Sequence, residues 1–509
     1  MPTSRRQWQV LVVVTAAAFL ANLDLFIVNV AFPAIRADFP GASLADLSWV
    51  LSAYAIVFSA LLVPAGRLAD RLGRRRLFLV GLAVFLAGSA LCAAALGPWT
   101  LVGARVVQAV GAALLIPTSL ALLLPAFPLE RRAAAVGLWT AGAAVAATLG
   151  PTLGGLLVEA GWRWVFLVNL PLGALTWIAA VRVLTESREA AGGRRPDLVG
   201  AVALCAGVAA LALAVVQGEA WGWTGGRVLG AVLVAALALA VLAIRSARHP
   251  SPVIEPALLR ARGPRAANLS VFLFSMTFFS LLLVTVLFLT SVWRYSALEA
   301  GLAFAPGPLM VALLSGPTGA LAGRVGARPL AVAGALLFAA SCGWWIWRAG
   351  PAHAYAADLL PGIVVGGIGV SLIFPVLAGA AVAGLPPDRA ATGSALFNMA
   401  RQIGGVIGVA VAVAILGDGA LEAGDFRAAW VFMVAASLAA ALAALRIPAR
   451  LTPRPAGVAP LRPTEGDEWA TTSSSASGGM PHAGSPGCDR PTASSSATAA
   501  PSAGSPAAG

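Results

Sequence analysis

Asp24 is the first residue of this chain whose position suggests chemistry. It lies in LVVVTAAAFLANLDLFIVNVAF at 11–32, with enough aliphatic residues on either side to fill a membrane-crossing helix. A carboxylate in hydrocarbon is costly, and its protonation responds to nearby charge and burial, so its expected role is to carry a proton. A second charge, Arg105, lies in another apolar run, LVGARVVQAVGAA at 101–113. Gln108, three residues on, shares its helical face. If the first helix ends near Ala31 and the fourth begins near Trp99, both charges lie about 9–10 Å below the same surface, at about 1.5 Å per residue. Equal depth lets them meet, and lets Arg105 and Gln108 change the proton affinity of Asp24 between states. A static ion pair that only fixes helix packing remains the alternative.

Other polar residues stand in apolar surroundings. Thr15, Asn22 and Asn29 recur every seven residues and form one stripe on the first helix, while Asp24 projects from another side. That helix must therefore be buried on two faces, with Asn29 lining a cavity or bonding to a neighbouring helix. In FNMARQIGG at 397–405, Asn398, Arg401 and Gln402 stand at i, i+3 and i+4 and mark a second patch for substrate or gate contact. We group Asn29, Gln108, Asn398, Arg401 and Gln402 as the expected substrate cavity. Trp139, Phe274, Phe278, Phe374 and Phe397 can stack on an aromatic ligand or serve as packing. Gly142, Gly150, Pro151, Gly154 and Gly155 interrupt the run at 133–158. Proline removes a backbone hydrogen bond and glycine admits a close neighbour, so these residues shape motion rather than bind ligand.

Several chemistries are excluded. All 34 basic residues are arginine. Without lysine there is no phosphate-binding loop of the GxxxxGK[ST] type and no Schiff base, which argues against ATP as a partner. The cysteines Cys92, Cys205, Cys342 and Cys488, and the histidines His249, His353 and His482, are scattered, so no disulfide framework or metal set follows. The second half has no membrane acid, because Glu299 and Asp358 fall near outer helix ends. A cationic substrate would then have to exchange with the proton on Asp24, and a neutral or anionic amphipathic one fits equally well.

These residues are positioned by membrane helices. The chain of 509 residues is 59% hydrophobic and 11% charged, against roughly 25% charged for soluble domains. Fourteen apolar runs fall at about 9–31, 47–66, 77–96, 99–123, 133–158, 163–184, 198–217, 226–245, 268–292, 299–322, 329–349, 356–384, 392–416 and 427–446. If the chain crosses at each, 24 arginines fall on one side and 6 on the other, with two in the far tail and two inside helices. Positive loops stay cytoplasmic, so both termini are expected there and the basic start is an uncleaved first helix. The net charge of +13 then meets lipid headgroups rather than nucleic acid. The most basic loop, GRLADRLGRRRL at 66–77, aligns without gaps on GALAGRVGARPL at 319–330. Parallel repeats of this kind mark transporters that rock one bundle against another. The expected divisions are a cytoplasmic start at 1–8, six-helix halves at 9–184 and 266–446, a linker with two extra helices at 185–265, and a disordered Ser-, Ala-, Pro- and Gly-rich tail at 447–509.

The motifs resemble the major facilitator superfamily, in its fourteen-helix drug:proton antiporter family. The loop at 66–76 is similar to the G-x-L-a-D-r-x-G-r-r signature. The stretch at 101–113 is similar to R-x-x-q-G-x-g-a-a, with Ala109 in place of a glycine, and GPTLGG at 150–155 is similar to the antiporter motif. NLDLFIVNVAFPAI at 22–35 and WRWVFLVNLPLG at 162–173 are similar to patterns of the same family, and the likeness covers about 8–446. It implies an all-α integral membrane fold and proton-coupled efflux of hydrophobic or amphipathic drugs or natural products by alternating access, without a cofactor or enzymatic activity. It also implies gating roles for Gly66, Asp70, Arg71, Gly73 and Arg74 and for Gly150, Pro151, Gly154 and Gly155. A uniporter or importer of the same fold is the alternative, and a membrane enzyme or sensor is disfavoured. Alanine-rich, arginine-only usage points to a bacterial cell membrane.

Overall fold

A chain that crosses a bilayer must satisfy its own backbone hydrogen bonds, and continuous helices do so. The structure, a computed structural model, describes residues 5–187, 196–383, 385, 390–417 and 421–448. The tail expected to be disordered lies, from residue 449 on, outside the described residues. Fourteen long helices are present among them. They are α1 (Arg5–Asp38), α2 (Leu44–Leu72), α3 (Arg74–Ala93), α4 (Pro98–Ala126), α5 (Leu129–Glu159), α6 (Trp164–Val183), α7 (Leu198–Val216) and α8 (Gly226–Arg248). They continue with α9 (Arg262–Ser291), α10 in two pieces (Ala297–Phe304 and Pro306–Val325), α11 (Ala327–Arg348), α12 (Tyr355–Val382), α13 (Ala390–Leu416) and α14 (Asp425–Ala444). Thirteen have described stretches long and apolar enough to span a membrane, and α5 is 31 residues long.

Local sequence explains where helices start and break. Ser43 and Asp46 form a reciprocal capping box at the start of α2, and Ser296 and Glu299 do so at α10. Glu299 is thus a cap, while Asp358, at the start of α12, is tied to Arg348 at 2.8 Å. Helix α6 restarts at Asn169 because Pro171 has no N–H to offer the Leu167 carbonyl. Helix α1 runs on from Ala31, where the apolar run suggests its end, to Asp38. There the Asp38 carboxylate accepts from Trp162 Nε1 and Arg163 Nη1, both at 3.0 Å.

The repeat read in the loops recurs in packing. Helices α1–α5, α2–α4, α3–α4 and α1–α6 pack as pairs, and so do their equivalents α9–α13, α10–α12, α11–α12 and α9–α14. The two halves meet through α5 against α10 and α2 against α13, which are also equivalent pairs. Helix α7 packs on α2 and α13, and α8 on α7.

The aligned loops match in detail. Gly73 and Gly326 take φ of +111° and +89°, and each donates its N–H to a carbonyl one turn back, Ala69 and Ala322, at 3.0 Å. Arg75 Nη2 donates to the Val181 carbonyl at 2.8 Å, and Arg328 Nε donates to the Ile447 carbonyl at 2.7 Å. Each repeat therefore anchors its basic loop to the far end of its own last helix. Glu186 adds a tie in the first half, accepting from the Arg75 and Arg76 backbone N–H groups at 3.1 Å where the positive end of α3 favours an anion.

Gly73 supplies a test. A Cβ there would meet the Glu186 carboxylate at 2.7 Å in a backbone region that costs an L-residue about 1–2 kcal/mol. Gly73→Ala should lower the melting temperature of the purified protein. Gly103→Ala, on α4 with nothing within 4 Å, should leave it unchanged or raise it slightly.

Candidate functional site

A buried carboxylate needs both a counter-charge and hydrogen-bond donors, and Asp24 has them from two neighbouring helices, α4 and α6. Asp24 and Arg105 are fully buried and form an ion pair through Asp24 Oδ2 and Arg105 Nη1. The other oxygen, Oδ1, accepts from Gln108 Nε2 at 2.8 Å and from Asn169 Nδ2 at 3.2 Å. Arg105 Nη1 also donates to Gln108 Oε1 at 2.6 Å, and Arg105 Nε donates to the Val50 carbonyl at 3.1 Å. Ser89 Oγ accepts from both Gln108 Nε2 and Asn169 Nδ2, at 2.8 and 3.3 Å. The guanidinium lies 4.1 Å from the centre of the Tyr54 ring, whose negative face suits a cation.

One connected network thus joins α1, α2, α3, α4 and α6, five of the six helices of the first half. Gln108 belongs to it and does not line the central cavity where it was expected. The face it shares with Arg105 turns toward α1 and α3, and Gly88 on α3 admits its backbone closely, since a Cβ there would meet Gln108 Cα at 2.6 Å.

The sixth helix, α5, is held to α1 by glycines. A Cβ on Gly150 would meet Phe26 Cβ at 2.8 Å, and one on Gly154 would meet Ile27 Cγ1 at 2.9 Å. Phe26 and Ile27 follow Asp24 within three residues. On its other side α5 touches the second half, where a Cβ on Gly155 would meet the Ala297 carbonyl oxygen at 2.6 Å. Thr148 Oγ1 donates to the Pro308 carbonyl at 3.3 Å. Pro151 lies between these glycines, its carbonyl against Gly301 of α10.

Two cavities lie between the halves. The larger, about 430 Å³, is bounded by α1, α2, α4, α5 and α9–α13. Ten aromatic side chains line it, including Trp139, Phe278, Phe374 and Phe397. Phe274 does not: it is buried against Phe338 and Phe374. Asn22, Asn398 and Arg401 are among its polar members. The smaller cavity, about 30 Å³, is lined by Asn29, Ser52, Arg105 and Gln402 with aliphatic neighbours. Asn29 and Gln402 therefore face the Arg105 side rather than the large cavity. The adjacent residues Arg401 and Gln402 look into different spaces. Gln402 is buried with neither amide atom partnered, and Arg401 has no hydrogen-bonded or ion-paired partner among the described residues.

The basic loop is less concerted than its residues suggest. Asp70 accepts from Arg74 Nε and Nη2 at 3.0 and 2.9 Å, a pair local to the α2–α3 turn. Arg71 is exposed, and Gly66 faces Pro117 Cβ at 3.6 Å from its would-be Cβ. The longer tie runs from Arg67 to Glu255 at 3.8 Å. Residues that sequence reasoning passed over are Asn169, Ser89, Tyr54 and Glu186. Only Asn169 carried a signal, as the single amide in WRWVFLVNLPLG.

Comparison with known proteins gives a consistent picture. The family model described as Major Facilitator Superfamily matches residues 14–409 and 267–477. The "Multidrug resistance protein Stp" of Mycobacterium tuberculosis is 35% identical over 415 residues, 81% of this chain and 76% of the relative. The "Cephamycin export protein CmcT" of Amycolatopsis lactamdurans is 37% identical over 467 residues, 89% of this chain and 95% of the relative. The "Methylenomycin A resistance protein" of Streptomyces coelicolor is 35% identical over 78% of this chain and 83% of the relative. Among solved structures, the human organic anion transporter MFSD10 (TETRAN) matches in fold, with a TM-score of 0.59 at 16% identity, covering 87% of this chain and all of the other.

The ion pair predicts a specific stability pattern. Arg105→Leu leaves Asp24 buried without its counter-charge and should destabilise the protein by about 3–5 kcal/mol. Adding Asp24→Leu should recover most of that loss. Thermal unfolding of both variants in detergent measures the coupling.

Proposed function

The chain belongs to the major facilitator superfamily, and we propose that it exports hydrophobic or amphipathic small molecules, drugs or natural products, across a bacterial cell membrane in exchange for protons. Relatives named for multidrug resistance and antibiotic export support the efflux direction. The observation that carries the proton is Asp24, a carboxylate shielded from solvent and held by an arginine and two amides.

The coupling follows from charge. While Asp24 is ionised, Arg105 binds it and α1 is drawn against α4 and α6. A proton on Asp24 removes that counter-charge and leaves the buried guanidinium costly by about 3–5 kcal/mol, which favours a rearrangement of α1. Helix α1 cannot shift alone, because Gly150 and Gly154 seat it directly on α5 and Gly155 seats α5 on α10. Motion at the proton site is therefore delivered to the interface between halves. The small cavity beside Arg105 exceeds the roughly 10–15 Å³ that one water needs, and Asn29, Ser52 and Gln402 give it polar walls for a proton path. Substrate binding in the large cavity favours the opposite state, and coupling requires only that each ligand differ in affinity between the two.

Proteoliposomes test this reading. Adding a lipophilic substrate to wild-type vesicles should move protons, and Asp24→Asn should abolish that flux while the protein remains folded. Compound movement without protons in both would make the chain a facilitator and Asp24 a structural residue. At the interface, Gly155→Val forces α5 and α10 apart and should slow transport while lowering the melting temperature through overpacking, at a cost of about 1–3 kcal/mol.

A further inference from the structure

The large cavity shows an imbalance of charge that bears on what it binds. Among the described residues lining it, Arg401 is the charged one, and there is no carboxylate. Arg401 Nε is buried without an acceptor, and its guanidinium carbon lies 5.9 Å from the Phe374 ring centre. Trp139, across the cavity on α5, also has a buried ring N–H with no acceptor. An indole nitrogen can only donate, and a guanidinium likewise has no acceptor. Both residues line the cavity, from opposite halves, and Arg401 brings to it a full positive charge.

The amides do not repair this. Asn22 Nδ2 and Asn398 Nδ2 donate to the Ala18 and Ser394 carbonyls one turn back, at 2.8 and 3.0 Å, which leaves each amide an uncharged oxygen as acceptor and no counter-charge for Arg401. The rest of the wall is aromatic and aliphatic, with Phe278 and Phe374 stacked edge-to-face at 5.2 Å. At about 430 Å³ the cavity has the size of a small-molecule site, within the roughly 300–1,000 Å³ typical of such pockets. The cation of a buried pair is stabilised by a counter-charge, and among the described residues lining the cavity there is none for Arg401.

We infer that this cavity takes anionic aromatic molecules, with Arg401 receiving the negative group and the aromatic wall, Trp139 included, receiving the ring system. The inference rests on the export reading above and gives its substrate a charge. A planar carboxylate suits the forked guanidinium, while the ring system attached to it fills the aromatic wall. An aromatic cation of the same size would meet Arg401 with nothing to offset the repulsion. Adjacent positions on α13 then serve different ligands: Arg401 faces the substrate space, and Gln402 the cavity beside Arg105.

Equilibrium binding to the full-length protein in lipid nanodiscs tests this with three matched probes: 2-naphthoate, 2-naphthamide and 2-naphthylmethylammonium. Naphthoate should bind at least tenfold tighter than the other two. Arg401→Gln should erase that preference by weakening naphthoate alone, and Arg401→Lys should keep part of it. Because Arg401 has no hydrogen-bonded or ion-paired partner to lose among the described residues, Arg401→Gln should not lower the melting temperature. Equal or tighter binding of the ammonium, unchanged naphthoate binding in Arg401→Gln, or no binding of any probe would overturn the inference. Transport in proteoliposomes separates it from the reading beneath it. Naphthoate that binds through Arg401 but is never moved defeats the export reading and leaves the site. Ammonium that is exchanged for protons defeats the site and leaves the export reading.

Discussion

The structure of the first half depends on keeping one negative charge inside hydrocarbon. Asp24 is tolerated because Arg105 neutralises it and Gln108 and Asn169 complete its hydrogen bonds. Those partners come from α4 and α6, and the same residues reach α2 through the Val50 carbonyl and α3 through Ser89. Removing the charge therefore relaxes a constraint shared by five helices at once.

The connection from that network to the rest of the bundle is steric. Glycines at 150 and 154 let α5 approach α1 at backbone distance, and Gly155 does the same toward α10. The equivalent helices of the second half repeat the device, with Gly404 and Gly408 of α13 against the Phe272 and Met276 backbones of α9. Surfaces without side chains slide or separate as units, and they have no flexible side chain to absorb a small displacement. The duplicated architecture thus repeats the close seam in each half, while the network built on Asp24 belongs to the first half.

Much of this was legible in the residue pattern, because hydrocarbon makes strong demands. Fourteen spans, their alternation and the repeat follow from apolar runs and arginine placement. Asp24 and Arg105 were conspicuous because charges in such runs are rare. What was not legible depended on direction. The depth argument brought Asp24 and Arg105 together, but ended α1 at Ala31 when polar residues carry it to Asp38. A shared helical face linked Gln108 to Arg105 without saying that the face turns toward α1 and α3 instead of the cavity. Arg401 and Gln402 read as one patch, yet about 100° of helical rotation separates neighbours and sends them into different spaces. Asn169 was hidden because its orientation is set by a helix break at Pro171, and Glu186 because its partner is backbone.

The two helices between the halves add a different dependence. Helix α7 lies against α2 and α13, so it touches both the helix that presents Val50 and Tyr54 and the one that carries Arg401 and Gln402. Helix α8 packs on α7 and is otherwise largely open to its surroundings, with exposed leucines and valines from Leu229 to Ile244. Its 23 residues make it about 35 Å long, while α7, at 19 residues, is about 28 Å. A longer helix tilts when the bilayer thins and straightens when it thickens. Any such tilt passes through α7 to the seam between α2 and α13, so the hydrophobic thickness and lipid composition of the host membrane become a variable of the machine itself.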